Sequence, residues 1–275
     1  MTVGYIGADV PRELLESPLR LRALPDVDLA DADGILGPGV DEWTRRVFAG
    51  VLADAYPIDA LVVSRLTDGA ARAYAALRAL GRDAYLLDLV HSPRSERYDR
   101  DRFAETAATF GGGDDVDATR RLTDELRALR RSGGVAGATA FRALLAAGDG
   151  DVAPLRALLD DPVPPTGGRT VFLTGSDHDT PELYDRLEDV GWNVIGEDHT
   201  WGETCFDGLA GDDLAGRYHR GSACFRRSEA ERAAYAKAAG ADAILVWLRP
   251  GEEGRLWGVP HLRGARVAVG LESLA

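Results

Sequence analysis

Thr170-Val171-Phe172-Leu173-Thr174-Gly175-Ser176-Asp177-His178-Asp179-Thr180-Pro181 passes from a short apolar run into a polar turn and ends on a proline. Apolar and β-branched residues predict a strand over Thr170–Thr174. The proline suits the first turn of a helix, where its missing amide hydrogen costs nothing, and the pattern after it predicts a helix over Pro181–Val190. A strand, a polar turn and a helix make half of a βαβ unit. The next strand is expected at Asn193–Gly196, followed by a helix at Glu229–Ala239 and strands at Ala243–Trp247 and Val267–Gly270. Such alternation builds a parallel sheet.

The same alternation runs through the first part of the chain. Strands are predicted at Val3–Ile6, Ala60–Ser64 and Ala84–Leu87. Helices are predicted at Trp43–Tyr56, where Trp43, Val47, Phe48, Val51 and Leu52 recur at near-helical spacing, and at Gly69–Leu80. Between the halves, Arg97–Leu159 reads as helical segments broken at glycine pairs and triplets. Asp161-Pro162-Val163-Pro164-Pro165-Thr166-Gly167-Gly168 stops helix and delays strand, because prolines remove amide donors and glycines weaken regular structure. The expected fold is α/β, with two Rossmann-like or flavodoxin-like lobes holding parallel sheets and a helical middle segment. The expected boundaries are 1–96, 97–165 and 166–275. The second lobe repeats the first in kind, with no sequence repeat visible.

Composition narrows the function classes. A formal charge of −13, spread along 275 residues, disfavours a phosphate backbone as partner. The opening residues lack a basic region followed by a long apolar run, and no later stretch is apolar for the roughly 18 residues that would span a bilayer. A cytoplasmic, membrane-free protein is expected. Cys205 and Cys224 are the only two cysteines, too few for a disulfide framework and consistent with reduced thiols.

Ligands of open parallel sheets collect where strands end, so four segments are candidates. Ser64-Arg65-Leu66-Thr67-Asp68-Gly69 precedes a helix whose amides can take an anionic group; Thr67 or Asp68 can equally cap that helix. Thr174-Gly175-Ser176 with Asp177 and His178 can hold a phosphate, carboxylate or thioester carbonyl, or form a capped turn. Glu197, Asp198, His199 and nearby Cys205 can support acid–base chemistry or a metal, or line an ordinary loop. Arg249 can clamp a carboxylate or phosphate with its planar fork, or lie on the surface. No Gly-x-Gly-x-x-Gly follows the first strand, and there is no P-loop or Gly-x-Ser-x-Gly elbow.

The order of these segments resembles the subunits of 2-hydroxyacyl-CoA dehydratases and benzoyl-CoA reductases over most of the chain. The likeness is carried by Val3-Gly4-Tyr5-Ile6-Gly7-Ala8-Asp9-Val10-Pro11-Arg12-Glu13-Leu14, by Ile58–Val63 with Thr67-Asp68, and by Thr174-Gly175-Ser176 with Leu183-Tyr184. Gly191-Trp192, Val194–Asp198, Ala241–Leu245 and Gly258-Val259-Pro260 complete it. The resemblance implies a [4Fe–4S] cluster in a subunit, a paralogous partner subunit, and an electron from an ATP-dependent activator that makes a ketyl radical of the thioester.

The sequence departs from that family where iron would be held. Thr67 stands in place of a family cysteine and Leu248-Arg249 in place of another; only Cys224 falls near a family cysteine position. Iron prefers soft anionic sulfur, which threonine and arginine do not offer. The expectation is a subunit without its own cluster that contributes to an acyl-CoA site while a cysteine-bearing partner holds the metal. Thr67, Asp68, Thr174 and Arg249 are expected to bind substrate, and Ser176, Glu197, Asp198 and His199 to act catalytically in a cleft between the lobes, with Cys224 a remnant ligand. The alternative is a stand-alone small-molecule enzyme or binding protein with a repurposed site, metal-dependent if Glu197, Asp198, His199 and Cys205 serve as ligands.

Overall fold

The computed structural model describes residues 1–90, 92, 94–112, 116–206, 229–249 and 266–269. Cys224 and the Gly258-Val259-Pro260 segment lie outside them. The chain is α/β, with two four-stranded sheets in which every pairing is parallel. Two compact units contain them: Met1–Val116 with Gly148–Gly150, and Asp117–Ala147 with the described residues that follow Gly150.

In the first unit the strands are β1 (Val3–Ile6), β2 (Pro18–Arg20), β3 (Ala60–Ser64) and β4 (Tyr85–Leu87), in the order β2-β1-β3-β4. Helices α1 (Ala30–Leu36), α2 (Glu42–Leu52), α3 (Asp68–Ala79) and α4 (Glu96–Phe110) belong to it. Alternation along the strands sends residues to opposite faces, and both faces are covered. Ile6, Leu61 and Val63 pack with Val47, Phe48, Ala73 and Leu77. Val3, Tyr5, Val62 and Leu87 pack with Phe103 and Phe110 of α4. Both β2 and α1 escape the sequence pattern: β2 is three residues long and opens on a proline, and α1 carries two acidic residues and a glycine in seven.

The second unit begins with helices α5 (Val116–Arg131, whose first residue belongs to the first unit), α6 (Gly137–Gly148, whose last residue does too) and α7 (Ala153–Asp160). Strands β5 (Arg169–Gly175), β6 (Trp192–Glu197), β7 (Ala243–Leu248) and β8 (Arg266–Val269), with helices α8 (Glu182–Asp189) and α9 (Glu229–Ala239), complete it. The strand order β6-β5-β7-β8 is the order of the first sheet shifted along the chain. Leu126, Ala140, Leu144, Leu155 and Leu158 join α5, α6 and α7 in one apolar cluster, so the helical middle of the sequence is shared out, α4 to the first unit and α5–α7 to the second.

The topological repeat has a short counterpart in sequence that the pattern reading overlooks. Val3-x-x-x-Gly7-x-Asp9 and Val171-x-x-x-Gly175-x-Asp177 occupy the same place, the first strand of each sheet and the turn beyond it. Gly7 and Gly175 have φ of 120° and 115°, conformations that only glycine adopts at low cost. A Cβ would lie 2.4 Å from the Ser64 Cβ at Gly7 and 2.2 Å from the Trp247 carbonyl at Gly175. In each unit the backbone therefore turns tightly against the end of the adjoining strand, at the point where the strand order reverses. Among the described residues no helix is long and apolar enough to cross a membrane.

Candidate functional site

In the second unit the carboxyl ends of β5, β6 and β7 gather Thr174, Ser176, Glu197, Asp198, His199 and Arg249. The edge strand β6 sets their arrangement. Its register to β5 slips between Val171 and Phe172, which leaves Ile195 as an extra residue. Arg130 Nη2 donates to the Val194 carbonyl at 3.3 Å and Arg131 donates to the Ile195 carbonyl, so two arginines of α5 cover an edge that a second sheet could otherwise join.

Glu197 ends β6 with no exposed surface. Arg130 Nη1 donates to its Oε1 at 2.9 Å and Nη2 to its Oε2 at 2.5 Å, a two-pronged pair with both side chains fully shielded from water. The Glu203 amide donates to Oε1 at 2.8 Å and the Tyr184 hydroxyl to Oε2 at 3.0 Å. Burial alone would raise the Glu197 pKa, but the Arg130 charge and its hydrogen bonds hold it down at about 2. Burial lowers the Arg130 pKa, and Glu197 and Glu203 more than reverse that. Glu203 accepts from Arg130 at 3.3 Å, from Arg131 and from the Tyr235 hydroxyl at 2.6 Å; burial and the adjacent Glu197 charge push its pKa up.

His199 is equally buried. Its Nδ1 accepts from the Trp201 amide at 3.3 Å, which assigns the ring proton to Nε2, 2.9 Å from the Tyr184 oxygen. The protons then run one way: His199 Nε2–H to Tyr184, and Tyr184 O–H to Glu197. Burial lowers the His199 pKa, which keeps the imidazole neutral. Phe141 stacks on Tyr184 at 4.3 Å, and the His178 ring meets His199 at 4.4 Å and Trp247 at 4.6 Å, edge to face. The Trp247 indole N–H is buried and finds no acceptor among the described residues.

The other candidates knit the turns together. Thr174 Oγ1 donates to Asp198 Oδ2 at 2.9 Å, and the Asp198 amide donates to the Leu173 carbonyl at 3.2 Å. Ser176 Oγ accepts from the Arg249 amide at 2.9 Å, and Arg249 Nη2 donates to Asp179 Oδ1 at 3.3 Å. Asp177 Oδ1 accepts from the Thr200 amide at 2.9 Å, tying the β5 turn to the β6 turn.

Thr67 and Asp68 belong to the first unit. Thr67 is exposed and its hydroxyl accepts from the Ala70 amide at 3.1 Å, so it is the N-cap of α3, and Asp68 places its charge in the first turn, where the helix dipole favours it. The hydroxyl at Thr67 is thus engaged by its own helix. Cys205 lies in the short 3₁₀ turn Glu203–Phe206. Among the described residues no three His, Cys, Asp or Glu side chains gather as a metal would need. Two cysteines in the whole chain, with Thr67 and Arg249 at the other expected ligand positions, do not fit a four-thiolate cluster.

Arg130, Tyr184 and Glu203 are the members of this network that sequence reading misses. A signal was present in α5: Thr119, Thr123, Leu126 and Arg130 follow helical spacing and all are buried, which places an arginine on the inward face. The chain matches no protein-family model and no curated protein.

Proposed function

We propose that the chain is a cluster-free subunit of a 2-hydroxyacyl-CoA dehydratase-like assembly, offering part of the acyl-CoA surface while a cysteine-bearing paralogue holds the metal. The observation that carries this reading is Thr67. At the carboxyl end of β3, where the resemblance calls for a thiolate, a hydroxyl is committed to capping α3. The tandem of like-ordered parallel sheets supports it as well, since paired subunits of that kind share one architecture. Cytoplasmic placement belongs to the same reading, because radical dehydration needs a reduced cluster and a nucleotide-driven activator.

In this reading the chain's residues bind and position rather than donate electrons. Glu197 is a poor general base at neutral pH, since a carboxyl held at about 2 has little appetite for a proton. The Arg130–Glu197–Tyr184–His199 chain instead fixes the β6 turn, and Ser176, Asp179 and Arg249 shape the turn beside it.

Anaerobic co-purification with a cysteine-bearing candidate partner tests the proposal. Iron should appear only with the partner, and the pair should bind an acyl-CoA more tightly than the partner alone. A pair with neither iron nor acyl-CoA binding removes the reading. Stoichiometric zinc on the isolated chain would instead favour a stand-alone enzyme.

A further inference from the structure

Two arginines of α5 are largely buried, and the chain treats them differently. Arg130 has two glutamates and a carbonyl. Arg120, on the same helix and 8 % exposed, has none: among the described residues no carboxylate, carbonyl or aromatic ring is paired with its guanidinium, whose Nε is buried while its two terminal nitrogens keep contact with solvent. The acidic residue one turn on, Asp124, is bound instead to Arg127 at 2.5 Å.

A guanidinium cannot escape burial by losing its proton, because its pKa stays above about 12 in proteins. A charge that is mostly withdrawn from water and has no counter-charge is poorly compensated, and its solvent-facing nitrogens leave it open to a ligand. Arg120 is also placed for recognition. It lies two turns, about 10.5 Å, before Arg127 on the stripe that continues to Arg131. It sits one turn from Thr123, whose buried hydroxyl donates to the Thr119 carbonyl at 2.9 Å and keeps its lone pairs. The planar fork of five donors matches phosphate and carboxylate oxygens two at a time.

We infer that Arg120 is the anchor of an oxyanion site on α5, completed by a phosphate or carboxylate of a small-molecule ligand. Binding supplies the counter-charge that the chain omits. The inference stands without the acyl-CoA reading, which would only name coenzyme A as the bearer of the phosphate.

Titration calorimetry at low salt, with pyrophosphate, coenzyme A and malonate as separate probes, tests it on the full chain and on Arg120→Gln, Arg120→Lys and Arg120→Met. At least one probe should bind the parent chain, and Arg120→Gln should weaken it roughly tenfold or more, the scale of a charged hydrogen bond. Arg120→Lys, which keeps charge and loses the fork, should fall between. Without probe, Arg120→Met should melt at or above the parent temperature, because it removes a largely buried charge that has no counter-charge. Pyrophosphate binding without coenzyme A binding would uphold the site and remove the acyl-CoA reading. The inference is overturned if no probe binds the parent, if Arg120→Gln binds equally well, or if Arg120→Met melts markedly lower, which would place the missing counter-charge on a protein partner or within the chain.

Discussion

Arg130 and Glu197, 67 residues apart in sequence, meet guanidinium to carboxylate with no surface of either exposed. Removing one of them takes away the main counter-charge of the other, leaving Arg130 only Glu203 and the Val194 carbonyl at 3.3 Å. Glu197→Gln should therefore destabilise the second unit by about 3–5 kcal/mol, whereas replacing both by apolar residues of similar size should cost far less. Urea unfolding of the single and double variants decides it. Equal losses would mean that the pair itself, and not the avoidance of a lone charge, holds the β6 turn.

The same network makes the fold sensitive to acid. Glu197 sits at about 2 against an ordinary 4.5, and burial keeps His199 below its ordinary 6.5. For both groups the unfolded chain takes up the proton first. The stability they contribute is complete above the ordinary values and is lost as pH falls, through 6.5 for His199 and between 4.5 and 2 for Glu197. Glu203, whose pKa is raised, works in the opposite direction and softens the lower part of the decline. Urea midpoints at pH 8, 6 and 4 should fall in that order, and Glu197→Gln should flatten the step between pH 4.5 and 2.

Tyr184→Phe removes the hydroxyl that His199 donates to and that Glu197 accepts from. One buried donor is left without a partner, at a cost of about 1–3 kcal/mol. Imidazole resonances followed by NMR should show His199 changing its titration. An unchanged His199 would refute the proton ordering.

Thr67→Ala should lower stability by about 1 kcal/mol, and Thr67→Ser should restore most of it, because only the hydroxyl caps α3. Thermal melts are sufficient. If alanine is silent, Thr67 is not kept for its cap.

Gly175→Ala places a methyl group 2.2 Å from the Trp247 carbonyl on a backbone at φ 115°. Strain and clash together should exceed about 2 kcal/mol, and Gly7→Ala, against Ser64, should behave likewise. Denaturant midpoints for each variant provide the comparison.

The alternation of apolar runs with amphipathic helices was enough to find β1, β3, β5, β6 and β7 and helices α2, α3, α8 and α9 within a few residues, since each buries a periodic face. It was not enough for β2, whose Pro18-Leu19-Arg20 is too short to show a period, or for α1. The turns were legible as polar segments at strand ends, which brought Thr174, Ser176, Glu197, Asp198, His199 and Arg249 into view. Their partners were not, because Arg130 reaches Glu197 and Val194 across more than 60 residues of chain, a relation that local spacing does not encode. The Gly7 and Gly175 repeat was hidden for another reason: seven positions with three identities carry little weight until the two sheets show that they are the same turn.

The position of Arg130 on α5 decides where the polypeptide can be divided. A fragment starting at Thr166 would hold all the strands of the second sheet and look self-sufficient on paper. It would nevertheless contain Glu197 without its guanidinium and Leu155 and Leu158 would be gone with α7. Expressed alone, such a piece should be captured by proteases or aggregate, while one starting at Asp117 should survive.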